Sequence, residues 1–100
     1  MAKHKYQGET ESIERLSEPP NYRVVLINDD YTTQDFVVEL LMDVYHKSES
    51  EAMSLMWRVH KEGAAAVGIY SFDIAASKVQ LTIDIARGKG FPLQAIYERI

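Results

Sequence analysis

The sequence predicts an α+β domain: a small three-stranded antiparallel sheet with three helices packed on one side, in the order β-α-α-β-α-β. Three observations lead there. Short runs rich in β-branched and apolar residues occur near 22–27, 64–70 and 93–98, which is strand composition. Between them lie longer runs whose apolar residues return every three or four positions, the period of an amphipathic helix. Three strands cannot cover both faces of a core, so the helices must close one face of the sheet.

Each element follows from local chemistry. Met1 to Glu18 is polar and charged, without a helical or strand period, and is expected to be a mobile extension. Pro19-Pro20 closes it, because proline restrains the residue before it and has no N–H for a ladder. The expected organisation is therefore a flexible extension over 1–20 and one folded domain over 21–100. Tyr22 to Ile27 reads as the first strand. Thr32 reads as the N-cap of the first helix, with Asp35 three residues on and able to reach back. Phe36, Val37, Leu40, Leu41 and Val44 then form its apolar stripe. Ser48 opens the second helix with Glu51 as capping-box partner. Ala52, Leu55, Met56 and Val59 are its stripe, and Gly63 ends it. Ala64 to Tyr70 reads as a strand. Ser71 caps a third helix with the stripe Ala75, Val79, Thr82, Ile83 and Ala86, stopped by Gly88 and Gly90. Leu93 to Glu98 is the last strand.

Composition narrows the function. One hundred residues, 46% of them apolar, make one domain with one modest core. A net charge of −4 gives no electrostatic reason to expect nucleic acid as a partner. Cysteine is absent, which removes disulfides and thiolate metal sites. No apolar run follows Lys3 and Lys5, so no signal peptide is visible. No stretch approaches the ~20 apolar residues of a membrane helix. No membrane association is expected, and a cytoplasmic location is.

The polar turn Asn28-Asp29-Asp30-Tyr31-Thr32, between the first strand and first helix, is the most informative segment. Its plain reading is structural, since Asn and Asp side chains bond to nearby backbone in turns. Its oxygens are also suited to a small cation. His60 lies one turn beyond Met56 and beside Val59, next to the apolar face of the second helix. Met56, Val59 and Val37 read as core unless they meet at a groove left partly unfilled. A metal is not expected: no His/Asp/Glu pair stands at i, i+4 around His60, and Asp29 and Asp30 lack the spacing of a calcium loop. No glycine-rich phosphate loop, Gly-x-Ser-x-Gly or cysteine nucleophile is present, so neither a cofactor nor enzyme activity is expected. An acid–base pair of Asp30 and His60 is the one catalytic alternative the residues leave open.

The combination of Pro-Pro, Tyr-Arg-Val-Val-Leu-Ile-Asn-Asp-Asp-Tyr-Thr, Met-x-x-Val-His-x-x-Gly, Gly-Ile-Tyr and Ala-x-x-Lys-Val resembles the ClpS family. These are adaptors of the Clp protease that recognise N-terminal degradation signals. The resemblance covers about Pro19 to Glu98 and implies a ClpS-like α/β sandwich. By matching positions it implies that Asn28, Asp29, Asp30 and His60 grip a free α-amine. Thr32, Gln34, Val37, Met56, Val59 and Leu93 fall where the family holds the first side chain, a bulky apolar one such as Leu, Phe, Tyr or Trp. Asp73 and Lys78 fall near the face that docks on the N-terminal domain of a ClpA- or ClpC-type AAA+ unfoldase. The implied partners are that unfoldase and N-degron-bearing proteins, with the adaptor acting as a monomer. Where the family usually has Pro-Met after the threonine, this chain has Thr33-Gln34. Its end, Ala95-Ile96-Tyr97-Glu98, also differs from the usual version, which contains Cys-Thr. The C-terminal domain of the ribosomal stalk protein has related architecture and gives an alternative reading as an interaction module. It has no need of the Asn-Asp-Asp rim.

Overall fold

Alternation sets the central strand. Along β1 (Asn21–Ile27), Val24 and Leu26 are fully buried, while Arg23, Val25 and Ile27 between them are only half-buried. One face of the strand therefore meets the core, and each such side chain contributes about 1.5–3 kcal/mol by leaving water. The computed structural model describes residues 21–100, and the extension expected over 1–20 lies outside them. Strand β2 (Ala64–Ser71) and strand β3 (Gln94–Arg99) flank β1, both antiparallel, in the order β2-β1-β3. The register slips between Val24 and Val25, which face Gly68 and Ala66. Val67 is thus the extra residue of a bulge, which shifts the alternation by one: Ala65 and Val67 are buried before the shift, and after it Tyr70, opposite Tyr22, packs against the core while Ile69 is exposed. Opposite, on the face away from the helices, Arg23 and Glu98 stand side by side. Arg23 Nε lies 3.2 Å from Glu98 Oε2, close enough to pair but not aligned for a hydrogen bond.

Three helices complete the predicted order. Helix α1 (Gln34–Asp43) buries Phe36, Val37, Leu40 and Leu41, helix α2 (Glu49–Glu62) buries Ala52, Met56 and Val59, and helix α3 (Phe72–Gly88) buries Ala75, Val79, Thr82 and Ala86. Leu55 and Ile83, expected in these stripes, are only partly buried. Helix α3 packs across all three strands, α2 packs on β2, and α1 packs on α2. The capping box of Ser48 and Glu51 is present, and Gly63 closes α2 in the left-handed conformation at φ 89°.

The caps also carry corrections. Thr33, not Thr32, is the N-cap of α1: its Oγ1 accepts from the Phe36 N–H at 3.2 Å. The reason is competition, because the Thr32 hydroxyl is already donated to Asp29. Ser71 holds the N-cap position of α3, yet its hydroxyl makes no capping bond. The last strand begins at Gln94 rather than Leu93, and Leu93 is 1% exposed, one of the most buried side chains.

Candidate functional site

The end of β1 and the end of α2 are joined by the sheet itself. Ile27 pairs with Ala64, and the next N–H, from Asn28, continues the ladder to the Gly63 carbonyl at 2.9 Å. Gly63 is also where α2 stops. The rim turn therefore starts beside the last turn of α2, which carries His60. A strand–turn–helix segment and a helix–strand segment, far apart in sequence, thus present Asn28 and His60 to one cleft.

Asp29 organises the turn. Its Oδ1 accepts from the N–H groups of Tyr31 and Thr32, each at 2.8 Å, and its Oδ2 accepts the Thr32 hydroxyl at 2.6 Å. Burial would raise its pKa, but the Thr32 hydroxyl, the two N–H groups and the Arg87 charge together outweigh burial and hold it below the usual value. Asp29 is therefore a carboxylate whose negative charge stays in place. It spends three of about four acceptor positions on its own loop, whereas the neighbouring Asp30 is exposed. The last carbonyls of α2 add the negative end of a helix dipole to the same rim. Arg87, whose charge acts on Asp29, is itself held by its Nη1 donating to the carbonyls of Phe91 at 2.9 Å and Leu93 at 2.8 Å.

Beneath the rim is a cleft of about 380 Å³. Asn28, Asp29, Asp30, Thr32, Gln34, Val37, Met56, Val59 and His60 all line it, so nine of the ten rim and groove residues singled out in the sequence are brought together. Val37 is 6% exposed, Met56 4% and Val59 2%. They are core residues that also form the wall of the cleft. Leu93 does not line it and lies sealed in the core. Two lining residues were not anticipated, Tyr31 and Thr33. Both flank residues that were, and Tyr31, at 77% exposure, had a visible signal in its place within the polar turn.

The chemistry available is recognition of an amphiphilic cation. Ammonium donors suit carboxylate and amide oxygens at a rim, where charge-assisted bonds are the strong ones. An apolar wall below gains about 2–3 kcal/mol by burying a Leu- or Phe-sized group. Among the described residues no group of three or more His, Asp and Glu side chains is arranged to hold a metal ion.

Asp73 and Lys78 lie apart from the cleft, on α3. Asp73 is exposed in the first turn. Lys78 is half-buried: its Nζ donates to the Val44 carbonyl at 2.6 Å and stands 5.5 and 5.3 Å from the ring centres of Tyr45 and Tyr70. Its charge thus closes the C-terminal end of α1, where a cation favours the helix dipole. Beside it, the Tyr45 hydroxyl shares a 2.6 Å hydrogen bond with Thr82, and burial pushes its pKa up to about 12.

Comparison with known proteins gives a consistent result. Residues 17–96 match the family of the ATP-dependent Clp protease adaptor protein ClpS. The ATP-dependent Clp protease adapter protein ClpS of Treponema denticola is 48% identical over 87 residues, covering 87% of this chain and 86% of that one. Its counterpart in Nautilia profundicola is 49% identical over 82 residues, covering 82% of this chain and 84% of that one. The solved structure of Agrobacterium tumefaciens ClpS2 bound to L-phenylalaninamide matches with a TM-score of 0.81 at 36% identity, over 83% of this chain and all (100%) of that one. Among the described residues no helix is long and apolar enough to cross a membrane.

Proposed function

Since this chain belongs to the ClpS family of ATP-dependent Clp protease adaptors, we propose that it binds proteins by a free N-terminal bulky hydrophobic residue, Leu, Phe, Tyr or Trp, and delivers them to the AAA+ unfoldase for degradation. The observation that carries this reading is a single cleft with an anionic, amide-bearing rim and an apolar wall. Asn28, Asp29, Asp30 and His60 hold the α-ammonium. Thr32, Gln34, Val37, Met56 and Val59 hold the first side chain, with Leu93 supporting the wall from the core. The relative solved with L-phenylalaninamide supports the reading, because that ligand carries a free α-amine next to a benzyl group.

The adaptor performs no chemistry on its cargo. Its selectivity follows from what the rim rejects. A blocked terminus brings no charge and fewer donors, and each buried oxygen left unpaired costs about 1–3 kcal/mol. An internal lysine brings its charge on a long stem that cannot seat an apolar side chain at the same time. The docking partner is the N-terminal domain of a ClpA- or ClpC-type unfoldase, met by the face around Asp73. Lys78 shapes that face through the Val44 carbonyl. Residues 1–20 assist hand-over. The protein works as a monomer in the cytoplasm.

A binding series over all first residues in one peptide context tests this. Leu-, Phe-, Tyr- and Trp-initiated peptides bind, and Asn28→Ala or His60→Ala each weakens them by about 1–3 kcal/mol with the fold intact. Equal affinity for Ala- or Asp-initiated peptides contradicts the proposal.

A further inference from the structure

The last turns of α2 carry an arrangement that neither the core nor the cleft wall accounts for. Trp57 is the only tryptophan of the chain and is 42% exposed. It belongs neither to the buried core nor to the lining of the cleft. Its ring instead meets the ring of His60 edge-on, with centroids 5.8 Å apart and planes at 73°. On the same indole, Lys61 Nζ stands 5.6 Å from the ring centre. Helix spacing makes both contacts possible, because positions three and four apart share a face.

We propose that Trp57 is a positioning residue for amine recognition, an inference that rests on the adaptor reading above. Among the described residues no hydrogen bond fixes the His60 imidazole, so the edge-on contact with the indole limits its ring plane. An imidazole accepts through one nitrogen lone pair, and that lone pair serves the rim only in a narrow range of ring orientations. A ring already held near its bound rotamer loses less freedom when the ammonium arrives. The indole has a second effect. By attracting the Lys61 ammonium to its face, it keeps a cation on the neighbouring surface, where Lys61 lies, and away from the cleft that Lys61 does not line. A like charge at the rim would oppose the α-ammonium.

The test uses the full chain and a Phe-initiated peptide with a free amine, measured by fluorescence anisotropy. Trp57→Leu weakens binding roughly 3- to 10-fold, the range expected for one aromatic pair, and Trp57→Phe restores most of it. Thermal midpoints stay close to wild type, because the side chain is half in water. The ring-current shifts that the indole imposes on the His60 ring protons, read by NMR without peptide, disappear in Trp57→Leu. In a His60→Ala background, Trp57→Leu has little further effect. Equal affinity of wild type and Trp57→Leu overturns the inference. So does a loss that persists in the His60→Ala background, which would mean direct contact of the indole with the peptide, and so does failure of Trp57→Phe to recover binding. If the wild-type protein does not bind the peptide at all, the adaptor reading itself fails and takes this inference with it.

Discussion

Thr32→Val separates the two roles that a threonine in the rim turn can have. The change keeps the branched shape and removes only the hydroxyl. In the structure that hydroxyl does not cap α1; it donates to Asp29 Oδ2 at 2.6 Å. A hydrogen bond to a charged group contributes about 1.5–3 kcal/mol when sheltered. Asp29 is partly open to water, which replaces much of the lost bond, so the expected loss at neutral pH is about 1 kcal/mol. The pH dependence carries the sharper information. Asp29 is held below its ordinary value of 3.8. A carboxyl with a depressed folded pKa contributes stability above its unfolded pKa and loses it as pH falls through the folded pKa. Removing the hydroxyl raises the folded pKa toward the unfolded one. The difference between wild type and Thr32→Val is therefore full at pH 7, shrinks below the ordinary carboxylate range, and falls to the small share of a neutral hydrogen bond once Asp29 is protonated in both. Urea denaturation at a series of pH values measures it, and NMR titration of the Asp29 carboxyl follows the shift directly. A loss of stability that is independent of pH, together with an unmoved Asp29 titration, refutes the assignment of Thr32 to Asp29.

Three further outcomes follow from other parts of the molecule. Met56→Ala costs about 2 kcal/mol of stability, at the low end for a buried methionine because its site opens to the cleft; peptide titration also reads a gain of larger or β-branched first residues relative to Leu, and a uniform loss would mark Met56 as core alone. Gln34 is exposed at the cleft mouth, where its amide prefers water to an apolar ligand, so Gln34→Met increases the Leu-to-Ile affinity ratio. An unchanged or smaller ratio contradicts the view that Gln34 swings toward water and guards the mouth less tightly than methionine would. His46 has φ 57°, a conformation costing a non-glycine residue ~1–2 kcal/mol, against an entropic cost of ~0.5–1 kcal/mol for glycine; His46→Gly therefore stabilises the domain by about 0.5–1 kcal/mol, read as a raised denaturation midpoint with unchanged m-value.

Amphipathic patterning made most of this fold legible. The stripes Phe36–Val37–Leu40–Leu41 and Ala52–Met56–Val59 are buried as their spacing requires, and the Ser48–Glu51 box is local enough to be read directly. Competition for a shared group was harder to see. Thr32 and Thr33 are both good caps, and the choice between them depended on which hydroxyl Asp29 captures. Long-range partners left no local trace. Nothing near Lys78 in sequence signals that its ammonium ends on the carbonyl of Val44, thirty-four residues earlier. The same limit applies to Leu93, whose place near the last strand fits a cleft wall and a core equally well. The meeting of Asn28 with His60 depended on the β1–β2 ladder running on to Gly63, a register that turn composition does not encode. By contrast, the Trp57–His60–Lys61 group follows from helix spacing alone, but its geometry needed the fold.

The proposed function depends on a rim that recognises a free α-ammonium and a wall that recognises the side chain beside it. The most direct measurement titrates the protein with two otherwise identical Phe-initiated peptides, one with a free N-terminus and one acetylated. Acetylation removes the charge and leaves rim oxygens without donors, at about 1–3 kcal/mol for each buried group. Tight binding of the free-amine peptide is expected, with at least a tenfold loss on acetylation, from about 1.4 kcal/mol or more. Equal binding of the two peptides would contradict the proposed function.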